Sequence, residues 1–241
     1  MINEIIQGDC LDVMASLDSG SVDLVLTDPP YRLIQGGQAS KSRPMGGVLS
    51  KYKNENVNNG KVFDHNEIEF TEWIPEVHRV LKDKAHFYCF INYHNMQEVM
   101  EVSEKVGFTL NNILVMVKDN TVVNHWYMKN VEYVLFFRKG GMKPLNNNSD
   151  NTAVMVRMPK DQEKIHPTQK PVPYLESLIK NSTNNGEIVL DPFAGSGSTA
   201  IACLNTGRGF ITCEIDNEFY WKTKSRIDDH LNFLNGQLLA F

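Results

Sequence analysis

The stretch from Ile188 to Glu214 constrains the fold most. The apolar run Ile188-Val189-Leu190 enters Asp191-Pro192-Phe193-Ala194-Gly195-Ser196-Gly197-Ser198-Thr199, and an apolar helical segment follows from Ala200 to Leu204. Gly195 and Gly197 admit positive φ and let a ligand approach the backbone, while the loop N–H groups gather at a helix N-terminus. A second apolar run, Gly209-Phe210-Ile211-Thr212-Cys213, then ends at Glu214 and Ile215. An acid at that point can accept both hydroxyls of a ribose. Strand, glycine loop, helix and strand make a βαβ unit with a nucleoside-shaped pocket at its strand ends. The spacing Gly195-x-Gly197-x-x-Ala200 also fits a dinucleotide fingerprint, so a nicotinamide oxidoreductase is a rival reading. Two features weigh against it: the strand ends in an acid before the glycines, and only one amphipathic helix, between Asn217 and Leu234, follows where a dinucleotide fold needs a second half. The remaining strands must come from upstream.

Upstream, the run Val22-Asp23-Leu24-Val25-Leu26 leads into Asp28-Pro29-Pro30-Tyr31. The prolines fix φ and lack an N–H, so their carbonyls can face a ligand without competing donors. Asp28 and the Pro29 carbonyl can accept from one amino group, and Tyr31 offers a face for a heteroaromatic base, a contact worth roughly 1–3 kcal/mol. An ordinary strand ending in a proline turn would use the same residues. Periodicity predicts further strands at Ile5 to Gln7, His86 to Ile91, Leu110 to Val117 and Val131 to Phe137, and helices at Thr71 to Leu81, Asn95 to Val106 and Val172 to Lys180. Alternating strands and helices imply an α/β fold: a mostly parallel sheet with helices on both faces, the late strand pair forming an antiparallel edge. Ligands in such folds bind at the carboxyl ends of strands near a topological switch point, where both Asp28 and Asp191 would sit.

As a pair, the tetrapeptide at 28–31 and the glycine loop at 191–199 resemble the beta-class amino-group (N6-adenine / N4-cytosine) DNA methyltransferases, with the catalytic motif first and the cofactor loop last. Two more segments fit: His166-Pro167-Thr168-Gln169-Lys170-Pro171, which precedes the cofactor loop in that family, and Gly8-Asp9-Cys10 near the N-terminus. The resemblance implies a Rossmann-like S-adenosylmethionine-dependent methyltransferase fold in a single domain, residues 1–241. It implies that Asp28, Pro29, Pro30 and Tyr31 hold a base flipped out of DNA, with Asp28 also facing the cofactor's methyl end. Asp9 would accept from the cofactor's adenine and Cys10 donate its backbone N–H to it. The loop Pro192, Phe193, Ala194, Gly195, Ser196, Gly197, Ser198 and Thr199 would surround the methionine moiety, which His166 also lines. Asp191 would lie near the ammonium and Thr168 or Lys170 near the carboxylate, while Glu214, followed by Ile215, would take the ribose. Asp191 as a cap for its own turn is an equally local alternative. An Asp in the first position of the tetrapeptide resembles the adenine-modifying members, so the expected activity is site-specific methylation of adenine N6 in DNA. Alternatives with the same pocket are cytosine N4, RNA or a protein amide, and a nucleotide-responsive DNA-binding module without turnover.

Composition sharpens the partner. The net charge of −5 is unexpected for a DNA partner, since phosphate contacts dominate such complexes. Between Arg32 and Val62, however, Arg32, Lys41, Arg43, Lys51, Lys53 and Lys61 face one acid, Glu55, a local +5 that leaves −10 elsewhere. This Gly-, Ser- and Asn-rich loop, 32–62, begins right after Tyr31 and is a candidate to close over DNA; a solvated surface loop is the alternative. His125 and Trp126 are candidate DNA contacts from a second loop, whereas Tyr133, Phe136 and Phe137 alternate among apolar residues as core. Residues 140–165, with Lys139 and Lys143 at or near their start, form a short recognition segment. Specific duplex reading buries roughly 1,000–2,500 Å² of protein, so a homodimer, or recognition shared with the basic loop, is expected.

Cys10, Cys89, Cys203 and Cys213 lack the paired spacing of a metal site and read as reduced, packed thiols, and no metal is expected. None follows a proline, whereas methylation at a cytosine ring carbon uses a Pro-Cys nucleophile. Without a membrane-length apolar run or a signal-like N-terminus, a cytoplasmic enzyme is expected.

Overall fold

The computed structural model describes residues 2–30, 68–122, 127, 129–147, 152–155 and 169–238. Among these, the elements in chain order are β1 (Glu4–Gln7), α1 (Cys10–Ala15), β2 (Val22–Thr27), α2 (Phe70–Val80), β3 (Leu81–Ile91), α3 (Met96–Lys105) and β4 (Phe108–Val122). The second half adds β5 (Lys129–Lys139), β6 (Val154–Met155), α4 (Val172–Ser182), β7 (Ile188–Asp191), α5 (Ser198–Thr206), β8 (Gly209–Glu214) and α6 (Asn217–Leu238). The strands form one sheet in the order β1-β8-β7-β2-β3-β5-β4-β6.

β2 is the central strand and is buried along its whole length. Successive side chains on a strand point to opposite faces, and β2 shows what that requires here. Val25 packs in one apolar cluster with Val13, Trp73, Ile74 and Val99, from α1, α2 and α3, and Val22 joins it through the register shift between Val22 and Leu24. Leu24 and Leu26 pack in the other with Tyr174, Leu175, Ala202 and Ile227, from α4, α5 and α6. A strand covered on both faces therefore reads as a nearly continuous apolar run. Its one acid, Asp23, is tied down: Oδ1 accepts from Lys82 Nζ at 2.6 Å and Oδ2 from the Ile188 N–H at 3.0 Å.

β2 pairs in parallel with β7 on one side and with β3 on the other. The chain leaves β7 for β8 in one direction and β2 for β3 in the other, so the switch point falls between β2 and β7, as expected for the two motif-bearing strands. Phe136 and Phe137 are buried core, as their alternation implies.

Three features go beyond the sequence pattern. β5 is antiparallel to both β3 and β4, and the two-residue β6 lies outside β4, parallel to it. The antiparallel pair thus sits one strand in from the edge. The six-residue α1 occupies the Gly8-Asp9-Cys10 region, too short for a periodic signal, with Asp9 as its N-cap. β3 begins directly after α2, five residues before the apolar run that marks it in the sequence.

Candidate active site

The end of β2 and the end of β7 are joined by side chains. Thr27 Oγ1 donates to Asp191 Oδ1 at 2.7 Å, and the Phe193 N–H donates to the same oxygen at 3.2 Å. Asp191 is buried, and burial pushes its carboxyl up to about 7 against the opposing hydrogen bonds from Thr199, Thr27 and Phe193, with the nearby Asp28 charge adding to the rise. Asp191 thus caps its own turn and ties the two motif strands together.

The glycine loop turns on Gly195 (φ 51°) and Gly197 (φ 73°), the latter being the N-cap of α5. α6 braces it from behind: Thr223 Oγ1 donates to the Gly195 carbonyl at 2.6 Å, and Arg226 donates to the Ser196 carbonyl at 2.7 Å. A Cβ at Gly197 would lie 2.6 Å from the Thr223 methyl, so close packing as well as backbone angle demands glycine there. Thr223 and Arg226 were not singled out in the sequence; they lie in an ordinary amphipathic helix with no local pattern to mark them.

Glu214 stands at the end of β8, where Oε2 accepts from the Gly195 N–H at 2.9 Å and Oε1 from the Asp216 N–H at 3.0 Å. Burial raises its pKa, and those N–H groups oppose the rise. Ile215 follows it, exposed. At the end of β1, Asp9 Oδ1 accepts from the Leu11 N–H at 2.8 Å, and Cys10 opens α1 with its thiol pushed up to about 12, chiefly by burial. β1 is hydrogen-bonded to β8, with Gln7 in register with Glu214, so Asp9 and Glu214 flank one strand end.

Asp28 lies one residue beyond β2. Its Oδ2 is 2.5 Å from Lys170 Nζ, and the same ammonium lies 3.3 Å from Glu132 Oε2 and 5.0 Å from the centre of the Phe90 ring. Glu132 also pairs with Lys118. The two carboxylates outweigh the desolvation of Lys170, so its pKa is raised despite burial. Lys170, with Thr168 one of two candidates for the cofactor's carboxylate, has its ammonium between Asp28 and Glu132. Glu132 is a residue that sequence reasoning missed, because it lies in an apolar strand where a lone acid reads as a solvent-facing position.

Lys139 and Lys143, expected at DNA, have partners within the protein. β5 runs antiparallel to β3, so its start adjoins the carboxyl end of the parallel strands and its finish lies at the far end. There Lys139 Nζ donates to the carbonyls of His78 and Leu81 at 2.6 and 2.7 Å, closing the C-terminus of α2. Lys143 Nζ donates to the Ser182 carbonyl at 3.0 Å, at the end of α4, which Asn146 also caps through the Lys180 and Thr183 carbonyls. Free carbonyls at a helix C-terminus attract cations, and that is the use made of both lysines. The described part of the 140–165 segment is therefore packed on α4 or paired with β4. Tyr31, the basic residues Arg32, Lys41, Arg43, Lys51, Lys53 and Lys61, His125, Trp126, His166 and Thr168 lie outside the described residues.

The open strand ends match a nucleoside cofactor. Among the described residues, a Cβ at Gly195 would meet no atom nearer than 4.0 Å, which leaves room for a ligand against the loop. Carboxylates at Asp9 and Glu214 stand at the ends of adjacent strands and retain acceptor capacity beyond the backbone bonds they already make.

Comparison with known proteins agrees with this geometry. The family described as DNA methylase, of the N6/N4 type, matches residues 22–225. The chain belongs to the N6/N4 DNA methylase family. It is 31% identical to the type II methyltransferase M2.MboI of Moraxella bovis, over 92% of this chain and 86% of that protein. The M1.HpyAVI–SAM complex superposes with a TM-score of 0.69 at 25% identity, covering 92% of this chain and 98% of the other. PvuII DNA methyltransferase, cytosine-N4-specific, shares the fold at a TM-score of 0.70 and 18% identity, covering 95% of this chain and 91% of the other. The family is S-adenosylmethionine-dependent, and M1.HpyAVI is solved as its SAM complex. The residues around the open strand ends fit that cofactor: Asp9 and Glu214 for the nucleoside, the loop 193–199 for the methionine portion.

Proposed function

We propose that this DNA methylase modifies the N6 amino group of adenine, turned out of the duplex into the cleft between the ends of β2 and β7. The observation that supports it is the position of Asp28, an acid one strand away from the glycine loop at the topological switch point. S-adenosylmethionine, when bound, would supply an electrophilic methyl carbon and leave as a neutral thioether, and the proton shed by the methylated amine would pass to Asp28 or to water. Asp28 and the Pro29 carbonyl each accept one N–H of the target amine. That holds the nitrogen pyramidal and aims a lone pair, otherwise conjugated into the ring, across the cleft. Proximity and orientation carry the rate, and no covalent enzyme intermediate is required. Flipping costs a few kcal/mol, offset in part by stacking on Tyr31. The basic 32–62 loop supplies phosphate contacts, with Ile215, His166 and Thr168 completing the cofactor site and His125 and Trp126 touching DNA. A second copy of the chain would widen the reading surface; light scattering with and without duplex DNA tests that.

Digestion of enzymatically methylated DNA to nucleosides decides the acceptor. N6-methyladenine is the expected product. N4-methylcytosine in its place would overturn the adenine assignment while leaving the pocket's chemistry intact.

A further inference from the structure

We infer that Lys170 is a positioning residue for Asp28, aligned in turn by Glu132, and is not a cofactor ligand. The inference rests on the functional reading above and deepens it at the same cleft.

Three elements distant in sequence converge here. Asp28 follows β2, Glu132 stands near the start of β5, and Lys170 lies in the segment just before α4. An ammonium has three donors and no acceptor. With Asp28 Oδ2 at 2.5 Å, Glu132 Oε2 at 3.3 Å and the Phe90 ring face at 5.0 Å, Lys170 is held on several sides. Burying an ammonium costs several kcal/mol unless it is well paired. Two carboxylates and a ring face meet that need, and charges then alternate from Asp28 through Lys170 and Glu132 to Lys118.

The consequence concerns direction. A carboxylate after a strand end can rotate about its side-chain bonds, and a base amine needs it at one angle. Tying Oδ2 to a buried cation sets that angle before DNA arrives, so less order has to be imposed in the complex. Glu132 acts through Lys170, since it is the ammonium's second anchor. With Asp28 and Glu132 beside it, the ammonium has at most one of its three donors left for another anion.

The test uses the full-length protein with Lys170→Met, Lys170→Arg, Glu132→Gln and the double variant Lys170→Met/Glu132→Gln. Thermal melts check folding, calorimetry measures S-adenosylmethionine affinity, and single-turnover methylation of duplex DNA measures the chemical step. Lys170→Arg keeps the charge but re-aims it through a planar fork, so it keeps the inference falsifiable if Lys170→Met does not fold. Both Lys170 variants are expected to bind cofactor as the wild type does and to lose about a hundredfold in the chemical step, the scale for a misplacement near 1 Å. Glu132→Gln should lose less, and nothing further once Lys170 is already replaced. Loss of cofactor affinity in Lys170→Arg, or additive losses in the double variant, would overturn the assignment. The affinity measurement needs no turnover, so it can fail separately from the function. A wild-type protein that methylates no DNA would instead sink the functional reading.

Discussion

Lys139 and Lys143 at one end of the sheet and Lys170 at the other are used in opposite ways. At the amino end of the parallel strands, Lys139 and Lys143 donate to backbone carbonyls at the ends of α2 and α4. At the carboxyl end, Lys170 meets two carboxylates and almost no solvent. A carbonyl at a helix end is a partial charge that any cation can satisfy. Two half-buried carboxylates carry full charges that a buried cation must balance. The first arrangement closes a helix; the second holds a functional acid in one orientation. Residue type alone therefore says little about a lysine in this fold, and neither does the end of the sheet, since Lys82 at the amino end pairs with the Asp23 carboxylate.

Removing the acid that defines the carboxyl end should have the largest effect. Asp28→Ala is expected to reduce methyl transfer to DNA roughly a thousandfold or more, the scale for losing a group that acts on reacting atoms, with cofactor affinity by calorimetry unchanged. A variant that transfers methyl groups at the wild-type rate would erase the distinction between the two ends.

Asp191 sharpens the comparison through pH. Its carboxyl sits at about 7 in the folded protein against an ordinary value of 3.8. The folded state therefore holds the proton more tightly between those values, and stability falls as pH rises from about 4 to about 7. A shift of this size corresponds to something on the order of 4 kcal/mol. Asp191→Asn should flatten that dependence in urea melts at pH 5 and pH 8 without cofactor. An unchanged slope would mean that Asp191 is ionised throughout. If Asp191 also meets the cofactor's ammonium, wild-type affinity for S-adenosylmethionine should rise across the same interval.

The amino end predicts smaller and purely structural effects. Lys139→Met should cost about 1–3 kcal/mol by denaturant melt, the range for hydrogen bonds to a charged group, with the single-turnover rate unchanged. A drop in rate at equal stability would reassign Lys139 to the site. Smallest is the effect expected from Lys143→Met on DNA: the salt dependence of binding should not change. Lys51→Ser in the basic loop should lower that slope by about 0.9 if its charge meets a phosphate. The reverse result would return Lys143 to the DNA face and release the loop from it.

Local sequence carried the βαβ unit, the two motif loops and the central strand, because each depends on neighbours along the chain. Glycines at 195 and 197 are required by backbone angle, Asp28 and Asp191 each close a buried apolar run, and β2 is apolar because both its faces are covered. The six-residue α1 and two-residue β6 left no such trace, being too short to repeat the period that would reveal them.

Tertiary structure alone decided the partners. Lys170 and Asp28 are 142 residues apart, Thr223 and Gly195 28 apart, and Lys139 and His78 61 apart. A long cationic side chain satisfies a carboxylate, a phosphate or a helix carbonyl about equally well, so only the folded chain determines which one it meets. The sequence thus determined where a donor and an acceptor loop must open on one sheet. Packing across that sheet decided which charges hold those loops in place, since electrostatic partnership depends on distance in space, which separation along the chain does not reveal.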